Sequence, residues 1–113
     1  LSFIQTLTLL ESLQLGTDNN LQDISFLQGL SNLTYLWITD SNLSNITPLS
    51  GLTNLISVLL SNNQITDINA LQNLINATEI DLTSNDNITC ADLDVLESTL
   101  GAGILIRPSS CIP

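Results

Sequence analysis

Leucine-type residues return along this chain every 22 to 23 residues, and that spacing constrains the fold more tightly than any other feature. The segments beginning at Leu10, Leu33, Leu55 and Ala77 read LESLQLGTDNNL, LTYLWITDSNL, LISVLLSNNQI and ATEIDLTSNDNI. Their shared rule is L-x-x-L-x-L, then a polar stretch rich in Asn, then Leu or Ile. The second halves, QDISFLQGLSN, SNITPLSGLTN and TDINALQNLIN, place Asp or Asn before Ile and follow it with two apolar positions at three-residue steps. Each unit therefore has one extended edge and one curled edge. A unit of this size cannot bury its apolar face by itself, so successive units stack into a solenoid.

In the extended half of each unit, side chains alternate between the core and the opposite face. Leu13 and Leu15, Leu36 and Ile38, Val58 and Leu60, and Ile80 and Leu82 point inward. Ser12, Gln14 and Gly16 then point outward, as do Tyr35, Trp37 and Thr39, Ser57, Leu59 and Ser61, and Glu79, Asp81 and Thr83. The outward set is where the chain is free to carry function.

On these residues the chain resembles the leucine-rich repeat family, in particular the 22-residue internalin-like class of bacterial surface proteins, and the resemblance covers nearly the whole chain. It implies an α/β fold: a right-handed leucine-rich repeat solenoid with a short parallel sheet on the concave face, a mostly irregular or 3₁₀ convex side and a short C-terminal cap helix. It also implies a module that binds another macromolecule on its strand face. The whole chain reads as one domain, with a partial repeat over 1–9, repeats over 10–32, 33–54, 55–76 and 77–99, and a cap over 100–113. Phe3, Ile4, Leu7 and Leu10 align with Phe26, Leu27, Leu30 and Leu33, so the sequence begins in the second half of a repeat and an upstream repeat or cap is expected.

Two polar columns follow from the repeat. Asn63 and Asn85 stand where the family places an Asn that bonds to turning backbone; Ser41 replaces it in the second unit, and Asp18 or Asn19 serves in the first. Asp23, Asn45 and Asp67 precede an inward Ile and are placed to accept from nearby backbone N–H groups. Both columns read as structural. Calcium binding is the rival, but the carboxylates lack the dense spacing of a dedicated loop. Gly29 and Gly51 mark the return to the next strand, and Pro48 suits the convex turn.

Beyond Cys90, Leu93, Leu96 and Leu100 recur at three- and four-residue spacing, which predicts a short amphipathic helix with Asp92 to cap its start and Gly101 to end it. Gly103, Ile104, Leu105, Ile106 and Arg107 read as a last strand. Cys90 and Cys111 are the two cysteines. A disulfide between them is the preferred reading, since a cap of this kind can bring the end of the chain back past the start of the helix; a metal site is not expected, because no His is present and the pair does not form C-x-x-C. It places the protein in an oxidising compartment. The stretch NITCADLDVLESTLGAGILIRPSSC is also similar to the C-terminal cap of secreted bacterial leucine-rich repeat proteins, which implies a secreted or cell-surface address, extracellular or periplasmic.

Charge narrows the partners. Eleven acidic residues face one basic residue, Arg107, giving a net charge of −10. Nucleic acid and anionic membranes require clustered Lys and Arg, which this chain lacks. A protein or glycan with a basic or neutral surface fits better, although the carboxylates also serve simply to keep a Leu-rich rod soluble. No apolar run approaches the ~20 residues of a spanning helix, so direct membrane insertion is not expected. Five N-x-Ser/Thr sequons occur, at Asn32, Asn42, Asn45, Asn76 and Asn87, in a composition that generates them readily.

The candidate binding residues are Tyr35, Trp37 and Leu59, an apolar group that includes the single Trp and the single Tyr, bordered by Glu79, Asp81 and Asp40. Trp and Tyr are enriched at interface hot spots; the competing reading is that they pack on each other or on a neighbouring segment. Leu105 and Arg107 are expected just beyond this border. Glu79 and Asp81, with Cα atoms roughly 6–7 Å apart on one strand face, loosely permit acid and base roles in glycoside hydrolysis. No His or Lys completes such a site, so no enzyme, cofactor or metal is expected. A third reading is self-association through the N-terminal end, where an open strand edge invites pairing.

Overall fold

The computed structural model describes residues 8–16 and 21–113. Phe3, Ile4 and Leu7 of the partial first repeat, the Asp18 or Asn19 alternative, and with them the reading of an open N-terminal end, lie outside the described residues.

Among the described residues five parallel strands form one sheet in chain order: β1 (Ser12–Gly16), β2 (Tyr35–Thr39), β3 (Ser57–Leu59), β4 (Glu79–Asp81) and β5 (Leu105–Ile106). The repeat fixes the register. Leu13, Leu36, Val58, Ile80 and Leu105 share one row, and Gln14, Trp37, Leu59, Asp81 and Ile106 share the next. The first row faces the core: Leu36, Val58 and Ile80 are fully buried, while Leu13 and Leu105, on the two outermost described strands, pack against the core and remain partly exposed. β3 and β4 are shorter than the five-residue pattern predicts, but the ladder continues past them through Leu60 N–H to Asp81 O and Leu82 N–H to Ile106 O, both at 2.9 Å.

Opposite the sheet the described residues run through three short 3₁₀ helices, Ser25–Leu27, Thr47–Leu49 and Asn69–Asn73. Their apolar positions, Leu27, Leu49 and Leu71, are fully buried against the inward strand residues, so one continuous core runs the length of the stack. Pro48 lies inside the second 3₁₀ helix. Gly29 follows the first with φ 89°, a left-handed conformation that disfavours any side chain.

Polar side chains close the described turns. Asn63 is buried between two repeats: its Oδ1 accepts from the N–H groups of Ser41 and Leu43, and its Nδ2 donates to the carbonyls of Ile38 and Leu60. Asn85 repeats this one unit later, accepting from Ile65 N–H and donating to Leu60 and Leu82 carbonyls. The shorter Ser41 side chain donates its hydroxyl to Thr39 O within its own turn, at 2.8 Å. On the convex side Asp23, Asn45 and Asp67 each accept the backbone N–H two residues on, at 3.0 Å. A third column of asparagines recurs in the sequence, and stacking gives it a role. The Nδ2 groups of Asn32, Asn54 and Asn76 donate to the carbonyls of Thr8, Ser31 and Thr53 in the preceding unit, at 2.7, 2.8 and 2.9 Å. Two sequon asparagines, Asn32 and Asn76, thus tie adjacent repeats together.

The far end is closed by α1 (Cys90–Leu100), whose Leu93 and Leu96 seal the last core row. Its N-cap is Thr89, the hydroxyl of which accepts from Asp92 N–H at 3.1 Å; Asp92 lies in the first turn rather than at the cap, where its charge still favours the helix N-terminus. Gly101 ends the helix with φ 106°. The chain then returns as β5, and Cys111 is disulfide-bonded to Cys90 with Cα atoms 5.1 Å apart. Backbone bonds flank the bridge, from Cys90 N–H to Ile112 O and from Ile112 N–H to Ile88 O. No helix among the described residues is long and apolar enough to cross a membrane.

Candidate functional site

The alternation that buries Leu36 and Ile38 turns Tyr35 and Trp37 to the opposite face of β2, where they are 44 % and 36 % exposed. β3 pairs in register so that Leu59 lies directly beside Trp37, about 4.8 Å away in the hydrogen-bonding direction. Tyr35 neighbours Ser57, whose small side chain leaves its ring open toward solvent. These three residues form one apolar cluster on the outward face.

The next strand brings acid. Asp81 lies beside Leu59 in the same row, and Glu79 lies beside Ser57 in the row of Tyr35. Asp81 is half-buried and oriented: its Oδ1 accepts from Thr83 N–H at 2.9 Å and from the Thr83 hydroxyl. Glu79 is exposed and has no side-chain hydrogen bond among the described residues. Among the described residues nothing basic answers either carboxylate. Arg107, the single cation, donates to Asp94 and Glu97 of α1 at 2.9 Å each, and those bonds raise its pKa above the ordinary guanidinium value.

Asp40 belongs elsewhere. It follows β2 in a left-handed turn at φ 55°, as Asn62 (57°) and Ser84 (64°) do one and two repeats on, and its carboxylate accepts from the Asn62 side-chain amide. Its first role is to close the turn at the rim of the strands.

Ile106 was missed. The last strand is in register with Ile80 opposite Leu105 and Asp81 opposite Ile106, so Leu105 turns to the core and Ile106, 42 % exposed, continues the outward row. The expectation that Leu105 and Arg107 extend the binding border is off by one residue. Alternation alone does not fix the phase of a strand that follows a helix instead of a repeat; only the pairing with β4 does.

An open groove of about 770 Å³ runs along the other edge of the sheet, lined by Leu9, Glu11, Thr34, Ile56 and Thr78 together with the tying asparagines 32, 54 and 76. None of the six candidate residues lines it. Among the described residues no group of three or more His, Cys, Asp or Glu is arranged to hold a metal ion.

Comparison with known proteins agrees with this geometry. The family described as leucine rich repeats (2 copies) matches residues 8–51. The fold superposes on the crystal structure of internalin C2 from Listeria monocytogenes with a TM-score of 0.80 at 29 % identity, covering 96 % of this chain and 45 % of that one. It superposes on an internalin, InlF, from the same organism with a TM-score of 0.77 at 27 % identity, covering 96 % and 37 %. The chain thus spans less than half the length of either structure. No curated protein matches it by sequence.

Proposed function

We propose, from the premise that this chain is a leucine-rich repeat protein of internalin-like fold, that it is a secreted or cell-surface module that binds another protein through the outward, concave face of its sheet. The observation that carries the reading is the in-register apolar cluster of exposed Tyr35 and Trp37 with half-buried Leu59, with Asp81 and Glu79 on the adjoining strand. Aromatic side chains supply contact area at low entropic cost and dominate interface energetics. Carboxylates at the rim of such a patch select partners that carry Lys or Arg and reject acidic ones. The disulfide supports an oxidising, extracellular or periplasmic setting.

The face suits binding better than chemistry. Glu79 and Asp81 have no His or Lys to work with, and Asp81 is engaged by Thr83. A panel of purified receptor ectodomains tests the proposal. The partner it identifies is expected to lose at least about tenfold in affinity with Trp37→Ala, a hot-spot-sized effect, and little with Ser12→Ala. A partner indifferent to both Trp37→Ala and Leu59→Ser overturns the use of this face. Loss of binding on enzymatic removal of the partner's sugars, with its protein intact, transfers the reading to a glycan.

A further inference from the structure

We infer that the outward row Trp37, Leu59, Asp81 and Ile106 reads an extended protein segment of the pattern apolar-x-basic-x-apolar. The inference rests on the reading of this sheet face as the binding surface and adds the chemistry and spacing of what it binds.

The row is defined by strand pairing: Trp37 with Leu59, Leu59 with Asp81, Asp81 with Ile106. At about 4.8 Å per strand, Ile106 lies roughly 14 Å from Trp37 with Asp81 about two-thirds of the way along. An extended chain crossing the strands rises about 3.4 Å per residue and presents side chains to one face every ~6.8 Å. Three alternate side chains therefore fall over Trp37, over the boundary between Leu59 and Asp81, and over Ile106. The first and third positions meet exposed apolar groups. The middle one meets Leu59 followed by a carboxylate, which matches a Lys or Arg whose aliphatic stem lies on apolar surface while its charged head reaches past it.

Three further features favour a basic residue there. Asp81 is flanked in its row by Leu59 and Ile106, so a partner covering all three excludes water and strengthens the ion pair. The bonds from Thr83 hold the Asp81 carboxylate in place before any partner arrives. Glu79 lies two residues earlier on the same strand face and offers a second acceptor within reach of the same head group. Charge complementarity thus comes from the partner, since Arg107 is bonded to α1.

The test uses an array of immobilised synthetic peptides in which one lysine sits between two leucines in a threonine background, with zero, one, two or three residues separating lysine from each leucine. The folded full chain is the probe. One intervening residue on each side is expected to bind best, by about tenfold over the other spacings, and replacement of lysine by glutamate to abolish binding. Ile106→Ser is expected to remove the gain from one leucine, and Asp81→Asn to remove the preference for lysine over glutamine, each without a change in thermal unfolding. Binding that is sensitive to Trp37→Ala but shows no spacing preference, prefers the longer spacings of a helix face, or ignores Ile106→Ser overturns this inference and leaves the face as the binding surface. Binding indifferent to Trp37→Ala overturns both. If no peptide binds above background, the inference fails, and the ectodomain panel decides the broader reading alone.

Discussion

Asn63 reaches back one repeat to accept the backbone N–H of Leu43 at 3.0 Å, with the same oxygen that takes Ser41 N–H at 3.1 Å. Its amide nitrogen meanwhile donates to Ile38 and Leu60 carbonyls, so one buried side chain satisfies backbone groups on both sides of a repeat boundary. An unsatisfied buried polar group costs about 1–3 kcal/mol. Asn63→Ala strands several at once and leaves a small void. We expect it to lower the unfolding free energy by at least about 2 kcal/mol, read as a drop in urea midpoint at unchanged m-value. Asn54→Ala removes an exposed bond to Ser31 O that water can replace, and is expected to cost less than about 1 kcal/mol.

Neighbouring leucines on one strand should part company. Leu60 is fully buried, whereas Leu59 faces outward beside Trp37. Leu60→Ala is expected to destabilise by about 2–5 kcal/mol, the range for a buried leucine. Leu59→Ala should stay within about 1 kcal/mol in stability while weakening partner binding. Chemical denaturation of both variants checks the assignment of faces directly.

The bridge between Cys90 and Cys111 closes a segment with a separation of 21 residues. On the chain-entropy account it stabilises the fold by roughly 3 kcal/mol. Reduction is expected to raise the intact mass by about two units and to lower the thermal midpoint. A double Cys90→Ala, Cys111→Ala variant should match the reduced protein in stability, measured by calorimetry.

Asp23 supplies a pH dependence. The Ser25 backbone N–H, bonded to its Oδ1 at 3.0 Å, is the main cause that holds its pKa below the ordinary 3.8, with a further hydrogen bond from the Ser25 side chain in the same direction. A carboxyl with a depressed folded pKa stabilises above its unfolded value and loses that contribution as pH falls through the folded one. The window therefore lies below about pH 4. Asp23→Asn keeps the acceptor, as Asn45 does one repeat on, and removes the titration. We expect the variant to lose less stability than the parent between neutral pH and pH ~2. NMR titration of the Asp23 side-chain carbon should report a pKa below 3.8.

Much of the fold is legible residue by residue. L-x-x-L-x-L repeated at 22 to 23 residues specifies strands that stack in parallel, because only that arrangement buries Leu36, Val58 and Ile80 in one row. The same alternation puts Tyr35, Trp37 and Leu59 on the outer face, where they are found. Asp40 was harder to place. Its spacing brings it near the strand end, but its engagement with Asn62 depends on a left-handed turn that brings two repeats into contact. The asparagines at 32, 54 and 76 recur in the sequence as plainly as those at 63 and 85, yet their inter-repeat bonds become visible only when units are stacked.

The sequence by itself determined the repeat, which side chains of its strands β2 to β4 face the core and the excess of acid, since all three follow from local periodicity and composition. Tertiary structure decided what happens where periodicity stops. After α1 no repeat sets the phase, and the pairing of β5 with β4 chose Ile106 over Leu105 for the outer face and left Arg107 to the carboxylates of the cap. A period of two says that neighbours point apart; only contact with an adjacent strand says which of them faces the core.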